Sequence, residues 1–181
     1  MSRALDGIRV LDLSTSLAEV TGRILADLGA EVIKVEPPGG CEARFVPPFA
    51  TTPTRENPRP QGAGDDPEQS LFWRAFGLGK KSVVLDIDVT SDRDRLLALV
   101  DTADILIESS TPGDMEAKGL GFDALHARNP MLLYVSVSPF GQTGPHAKLP
   151  ATDLTIAASG GFLNATGDGN RVPIPVGLPE T

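Results

Sequence analysis

Two short apolar runs frame a helix-length interval near the start of the chain, and that arrangement constrains the fold more than any other feature. Ile8 to Leu13 reads IRVLDL and Glu31 to Val35 reads EVIKV, both rich in β-branched residues. Between them Leu17, Val20, Ile24, Leu25 and Leu28 recur at helical spacing, Ser14 to Ser16 offer N-caps, and Gly29 follows as a C-terminal stop. Strand, helix and strand in this order form a βαβ unit, whose crossover is right-handed. The near-continuous hydrophobicity of both runs marks parallel strands covered on both faces.

The alternation continues. Leu71 to Phe76 reads as a short helix and Ser82 to Ile87 (SVVLDI) as a third strand. Thr90 or Ser91 caps a helix through Leu96, Leu97, Leu99 and Val100, and Ile105 to Ile107 is a fourth strand. Helical stretches near Asp114 to Lys118 and Phe122 to Arg128 precede a fifth strand over Leu132 to Val137. The expected fold class is α/β, an open, mostly parallel sheet with helices on both faces. Ligands of such sheets bind outside the carboxyl ends of the strands, which directs attention to Ser14–Ala18, Glu36–Gly39, Glu108–Pro112 and Ser138–Pro145. The one long interruption is the Pro/Gly-rich stretch 36–69, with eight of the 16 prolines; it reads as an irregular loop, either a functional cover or unstructured. No internal repeat is visible.

Charge and composition exclude several classes. Against 24 Asp and Glu the 181 residues carry 16 Lys and Arg, a net charge of −8 that repels phosphate backbones, so no nucleic-acid partner is expected. Aromatic residues are only 5 %, so the core is aliphatic. A single cysteine, Cys41, allows neither an intramolecular disulfide nor a zinc knuckle, and reads as an incidental thiol on the Pro/Gly-rich loop rather than a nucleophile. No run approaches the ~20 apolar residues that span a bilayer. The N-terminus MSRALDGIRV also lacks an apolar signal core, so the expectation is a cytoplasmic protein without a membrane partner. Asn164-Ala165-Thr166 matches a glycosylation pattern that has no weight without a secretory route.

Local motifs narrow the chemistry. Phe76-Gly77-Leu78-Gly79-Lys80-Lys81-Ser82 superficially suggests a phosphate loop, but Arg74 stands where the first glycine belongs, Lys81 follows Lys80, and the glycines lead into a strand. Lys80 and Lys81 remain a local basic pair able to meet a phosphorylated ligand as point charges, or a solvated turn. His126 in a surface helix and His146 in a loop have no second ligand at metal spacing, so no metal site is expected. No G-x-S-x-G elbow supplies a hydrolase serine. Of the carboxylates, Asp12 and Asp86 fall within strands and Glu36, Glu108, Asp153 and Glu180 near strand ends or loops, where such groups usually accept bonds from loop amides.

Whole segments then carry a resemblance. Leu5-Asp6-Gly7-Ile8-Arg9-Val10-Leu11-Asp12-Leu13-Ser14, the run from Leu25 to Gly40 (LADLGAEVIKVEPPGG), Lys80 to Asp86 (KKSVVLD), Pro112-Gly113 with Met115-Glu116, and Ser138 to Pro145 (SPFGQTGP) follow one another as in the class III coenzyme A transferase family, which includes formyl-CoA transferase, carnitine CoA-transferase and α-methylacyl-CoA racemase. The resemblance covers nearly all of residues 1–181 but only the N-terminal part of the large domain of a typical member, without its small domain and C-terminal return.

This resemblance implies a Rossmann-like large domain that binds coenzyme A as acyl-CoA substrate, an interlocked homodimer, and a carboxylic acid acceptor. It implies acyl-CoA:carboxylic acid CoA transfer, in which an aspartate captures the donor acyl group as an anhydride and then holds CoA as a thioester, splitting one difficult exchange into easier steps. Carried over residue by residue, the CoA-lining positions are Leu17, Ala18, Pro37, Leu78, Lys80, Ser109, Ser110, Met115, Phe140 and Gln142.

Several positions depart from the family pattern. Leu17-Ala18-Glu19-Val20 stands for Leu-Ala-Gly-Pro, so Glu19 brings a negative charge near a polyphosphate unless it points away. Glu108-Ser109-Ser110-Thr111-Pro112-Gly113 lacks the arginine and aromatic of Glu-Asn-Phe-Arg-Pro-Gly. Val176-Gly177-Leu178-Pro179-Glu180-Thr181 stops one residue short of the motif's aspartate, so the nucleophile is expected just after Thr181. Thr152 replaces the racemases' histidine before Asp153, which disfavours racemisation. The competing reading is a non-catalytic CoA-binding or scaffolding half of a duplicated transferase; an acyl-CoA racemase or isomerase is a third.

Overall fold

The computed structural model of the protein describes residues 3–50, 67–166 and 170. They divide into two compact units, Met1–Val137 and Ser138–Thr181. The first unit holds five strands, β1 (Arg9–Leu13), β2 (Glu31–Glu36), β3 (Lys81–Val84), β4 (Ile105–Glu108) and β5 (Leu133–Ser136), in the order β3-β2-β1-β4-β5. Every pairing in this sheet is parallel. The order is that of a Rossmann-like α/β sheet with β1 at its centre.

Alternation along the central strands sorts the core into two layers. Leu11, Val35 and Leu106 point to one face, where they meet Leu96 and Val100 of helix α3 (Thr90–Val100), Met115 of α4 (Asp114–Ala117) and Leu125 of α5 (Phe122–Arg128). Val10, Val32 and Ile107 point to the other and pack on Ala26 of α1 (Glu19–Asp27) and on Ala30. Strands covered on both faces explain the unbroken apolar runs of the sequence. Gly29 ends α1 with φ +109°, while its amide and that of Ala30 reach back to Ala26 and Leu25, so the glycine stop is used as expected.

Three local expectations differ from the structure. The serines after β1 do not cap α1: Ser14 Oγ bonds the Asp12 carboxylate, Ser16 Oγ bonds Glu42, and Ser16–Ala18 form a 3-10 turn before the helix. α3 likewise starts at Thr90 without a side-chain cap, because its N-cap position falls on Val89, which has no side-chain acceptor; the Asp92 carboxylate binds the Asp86 amide at 2.9 Å. β3 stops at Val84, and the Asp86 carboxylate, which accepts from the Asp88 amide, turns the chain out of the sheet.

Within the stretch 36–69, Glu42–Phe45 and Pro67–Gln69 form 3-10 turns, and an antiparallel bridge joins Phe49 to Ser70, the N-cap of α2 (Leu71–Phe76). Residues 51–66 lie outside the described residues, so that part of the loop expectation does too. In the second unit Thr152 and Thr155 form a reciprocal capping box at the start of α6 (Asp153–Ser159). Among the described residues no helix is long and apolar enough to cross a membrane.

Candidate functional site

In the strand order β3-β2-β1-β4-β5, the connections from β1 and from β4 leave in opposite directions, so a crevice opens between the carboxyl ends of those two strands. The segments that leave there are Ser14–Ala18 and Ser109–Gly113. They are joined directly: Thr15 N donates to Ser109 Oγ at 2.7 Å, and the two hydroxyls lie 2.8 Å apart. Carboxylates shape both turns, as the sequence reading expected for Glu108 but not for Asp12, which it placed within the strand. Asp12 Oδ1 accepts from Ser14 N at 3.0 Å and Glu108 Oε2 from Ser110 N at 2.7 Å.

Beneath the β1–α1 turn four charged side chains close a cage. The three ammonium hydrogens of Lys34 are shared among four acceptors, Glu19 Oε2 (2.5 Å), Ser14 O (2.5 Å), Asp12 Oδ1 (3.2 Å) and Ser14 Oγ (3.2 Å). Lys80 Nζ donates to Asp12 Oδ2 (2.8 Å), Glu19 Oε1 (2.5 Å) and Glu19 O (2.8 Å). The side chains of Asp12, Glu19 and Lys34 are wholly inaccessible and that of Lys80 is 1 % exposed. Two cations meet two anions, so the buried cluster is neutral and its hydrogen-bonding groups are engaged, the condition for keeping ions out of water. Burial alone would push the Asp12 carboxyl up, but Lys34 and Lys80 hold it below the usual range. Burial likewise opposes charge on Lys34, and Asp12 and Glu19 outweigh it, raising its pKa. Gly22 makes room for this cage: a Cβ there would strike Asp12 Oδ2 and lie 2.9 Å from Lys80 Cε.

A second buried ion pair fastens the segment after β2. Arg44 grips Glu36 bidentately, Nε to Oε2 at 2.6 Å and a terminal nitrogen to Oε1 at 2.8 Å. Cys41 N and Ser82 Oγ also donate to Glu36, and the Arg44 guanidinium lies 4.1 Å from the centre of the Trp73 ring. Burial disfavours the Glu36 charge, but these donors prevail and bring its pKa to about 2. Cys41 is buried, and that burial is the main reason its thiol is pushed up to about 11, which suits an inert side chain better than a nucleophile.

The ten positions singled out from the sequence fall into distinct settings. Leu17 is exposed and Ala18 buried on the β1–α1 turn, and Ser109 is hydrogen-bonded to that turn through Thr15. Ser110 uses its amide on Glu108, and Pro37 lies exposed after β2. Leu78 is exposed, with its carbonyl accepting from Arg23 at 2.9 Å. Lys80 is turned inward to the cage, and its neighbour Lys81 pairs with Glu31 on the surface at 2.6 Å. Met115 packs in the aliphatic core. Phe140 and Gln142 belong to the second unit, where the Phe140 ring meets that of His146 edge to face with centroids 6.1 Å apart. His126 is stacked on Phe122 at 5.1 Å. Thr152 serves as the N-cap of α6. The segment 176–181, and with it the expected approach to the nucleophile, lies outside the described residues.

The Glu19 carboxylate is buried between Lys34 and Lys80, and Lys34 is the residue sequence reasoning passed over. Its signal was present: a lysine inside an otherwise apolar strand that is covered on both faces needs a buried anion.

Comparison with known proteins agrees with the fold. The profile described as CoA-transferase family III matches residues 5–180. A Mycobacterium tuberculosis protein named "Probable fatty acyl-CoA transferase" is 39 % identical over 180 residues, 99 % of this chain and 41 % of its own length. The acetyl-CoA:oxalate CoA-transferase of Acetobacter aceti is 40 % identical over 174 residues, 95 % of this chain and 41 % of its own. A crystal structure of a CAIB/BAIF family protein from Brucella suis superposes with a TM-score of 0.84 at 34 % identity, covering 98 % of this chain and 44 % of that one. The chain thus spans about two-fifths of the length of the relatives it matches.

Proposed function

The chain belongs to CoA-transferase family III, and on that premise we propose that it forms the coenzyme A-binding part of an acyl-CoA:carboxylic acid CoA-transferase. The observation that carries this reading is the junction of Thr15 with Ser109, which brings the Ser14–Ala18 turn and the Ser109–Gly113 segment together at the switch point of the sheet. Coenzyme A bound there lies over Leu17, Ala18, Ser109 and Ser110, with Pro37 as a further contact from the carboxyl end of β2; Leu78 precedes β3 and lies at the amino end of that strand. Remote binding of the CoA moiety provides energy that the reacting thioester end uses for orientation.

Chemistry proceeds at an aspartate expected to follow Thr181. Its carboxylate attacks the acyl-CoA carbonyl and expels CoA thiolate, leaving a mixed anhydride. The thiolate attacks the aspartyl carbonyl and releases the donor acid, and the acceptor carboxylate takes the CoA by the same two steps in reverse. Thr152 is occupied in helix capping, which favours transfer over racemisation. The reading includes a homodimer working in the cytoplasm on an acyl-CoA and a free carboxylic acid.

Isothermal titration of the full-length protein with CoA tests the binding half, and saturable binding is expected. Hydroxylamine added during turnover with acyl-CoA tests the other half, by converting one aspartate to a hydroxamate detectable by mass spectrometry. Absence of CoA binding overturns the reading; binding without a trapped aspartate leaves the non-catalytic half as the better account.

A further inference from the structure

Lys34 and Lys80 hold the two ends of one short segment. Lys34 Nζ donates to the carbonyl of Ser14 at 2.5 Å, and Lys80 Nζ donates to the carbonyl of Glu19 at 2.8 Å. Leu17 and Ala18 lie between those two points. Both ammonium groups are themselves fixed from below, because each donates to Asp12 and to a different oxygen of Glu19. Asp12 is set in the central strand and Lys34 directly beside it in the next, as register partners.

We propose that Lys34 and Lys80 are positioning residues that act from inside the fold: with Glu19 and Asp12 they form a neutral cage that fixes the ligand-facing turn, and Lys80 does not contact a ligand phosphate. This rests on the reading of the turn as a coenzyme A contact. Lys80 has three ammonium hydrogens and three acceptors, all of them inside the protein. A phosphate oxygen reaching Lys80 Nζ has to displace Asp12, Glu19 or the Glu19 carbonyl, and it meets two carboxylates as it does so. Displacing either carboxylate leaves it short of a partner, and displacing the carbonyl releases one end of the turn. Glu19 is the group that decides the matter, since its two oxygens hold one lysine each.

The test uses the full-length protein and charge-balanced pairs of substitutions, Lys34→Met with Glu19→Gln and Lys80→Met with Glu19→Gln. The near-isosteric single change Glu19→Gln serves should either pair fail to fold, and Lys81→Met controls for loss of a nearby surface cation. Hydrogen exchange without ligand is expected to accelerate at the amides of residues 15–19 and to stay unchanged in β4 and β5. The Kd values for CoA and for 3′-dephospho-CoA are expected to rise by the same factor, about 10-fold or more, because a displaced turn serves both ligands equally badly. The salt dependence of binding is expected to match the wild type.

A Lys80 variant that loses more affinity for CoA than for 3′-dephospho-CoA, or that shows a shallower salt dependence, overturns the proposal by making Lys80 a phosphate contact. Folded variants with wild-type exchange and wild-type Kd overturn it as well, leaving the cage a packing feature. If the wild-type protein binds neither ligand, the proposed function falls, and unchanged exchange at residues 15–19 in the variants overturns the positioning role on its own.

Discussion

Asp12 and Lys34 are register partners on adjacent parallel strands, and their side chains meet at 3.2 Å with neither exposed to solvent. Three residues toward the amino ends of the same strands Arg9 and Glu31 are partners too, at 2.7 Å, with more than a third of each side chain in water. The same pairing of β1 with β2 thus produces two ion pairs of different character. The outer one is screened and contributes little. The inner one costs desolvation, so breaking it matters far more than its presence adds.

Lys34→Met tests that asymmetry. The substitution leaves Asp12 and Glu19 buried against Lys80 alone, and a loss of about 3–5 kcal/mol in unfolding free energy is expected. Arg9→Met removes the outer pair and is expected to cost about 1 kcal/mol or less. Urea titration of both variants in the full-length protein checks the contrast, and equal losses contradict it.

Gly22→Ala separates helix propensity from packing. At an open helical position this change stabilises by about 1 kcal/mol. At position 22 the added methyl strikes Asp12 Oδ2 and crowds Lys80 Cε, so the expected sign is reversed, with a loss of about 1–3 kcal/mol in thermal or urea unfolding. A stabilised variant is incompatible with the cage geometry.

The elements of the fold were legible because Val10, Leu11, Val32, Ile33, Leu106 and Ile107 make strands that are apolar on both faces, and that pattern has few alternatives. The ends of elements were less so: Ser14 looks like a cap in sequence, but its hydroxyl is claimed by Asp12, a competition that depends on where the strand ends. The cage was illegible as a unit because its members stand at positions 12, 19, 34 and 80, brought together only by strand register and the β3 approach. Lys80 therefore read as a surface charge. A charged residue in each buried strand and a glycine in the middle of α1 were its traces in the sequence.

Glu36 makes stability fall in acid. Its pKa drops from an ordinary 4.5 to about 2 on folding, so the unfolded chain takes up the proton first as pH decreases. The Glu36 contribution is complete above pH 4.5 and drains away as pH falls toward 2. Unfolding free energy measured across that window is expected to decline less steeply in Glu36→Gln, which has no charge to lose and starts from a lower stability at neutral pH.

Cys41 is expected to resist alkylation. Burial keeps its thiol protonated up to about pH 11, and the reactive form is the thiolate. Peptide mapping after iodoacetamide treatment of the native protein at neutral pH should leave Cys41 unmodified, with labelling appearing only when denaturant unfolds the chain. Rapid labelling of the native protein contradicts the buried position.

Ser109 and Ser110 are adjacent but hold different bonds, and their alanine variants should part accordingly. Ser109 Oγ accepts from Thr15 N and pairs with the Thr15 hydroxyl, so Ser109→Ala unlinks the two segments that meet at the switch point. Two hydrogen bonds vanish and a partly buried amide is left without an acceptor, a loss of about 1–3 kcal/mol. Affinity for CoA should fall at the same time, by about 10-fold for each 1.4 kcal/mol of binding energy withdrawn. Ser110 is anchored by its backbone amide to Glu108, a bond that alanine keeps. Ser110→Ala should therefore leave the unfolding midpoint in place and alter only the CoA Kd. Paired thermal and calorimetric measurements on both variants decide the matter, and a shared response in stability would remove the distinction between the side-chain bonds of Ser109 and the backbone bond of Ser110.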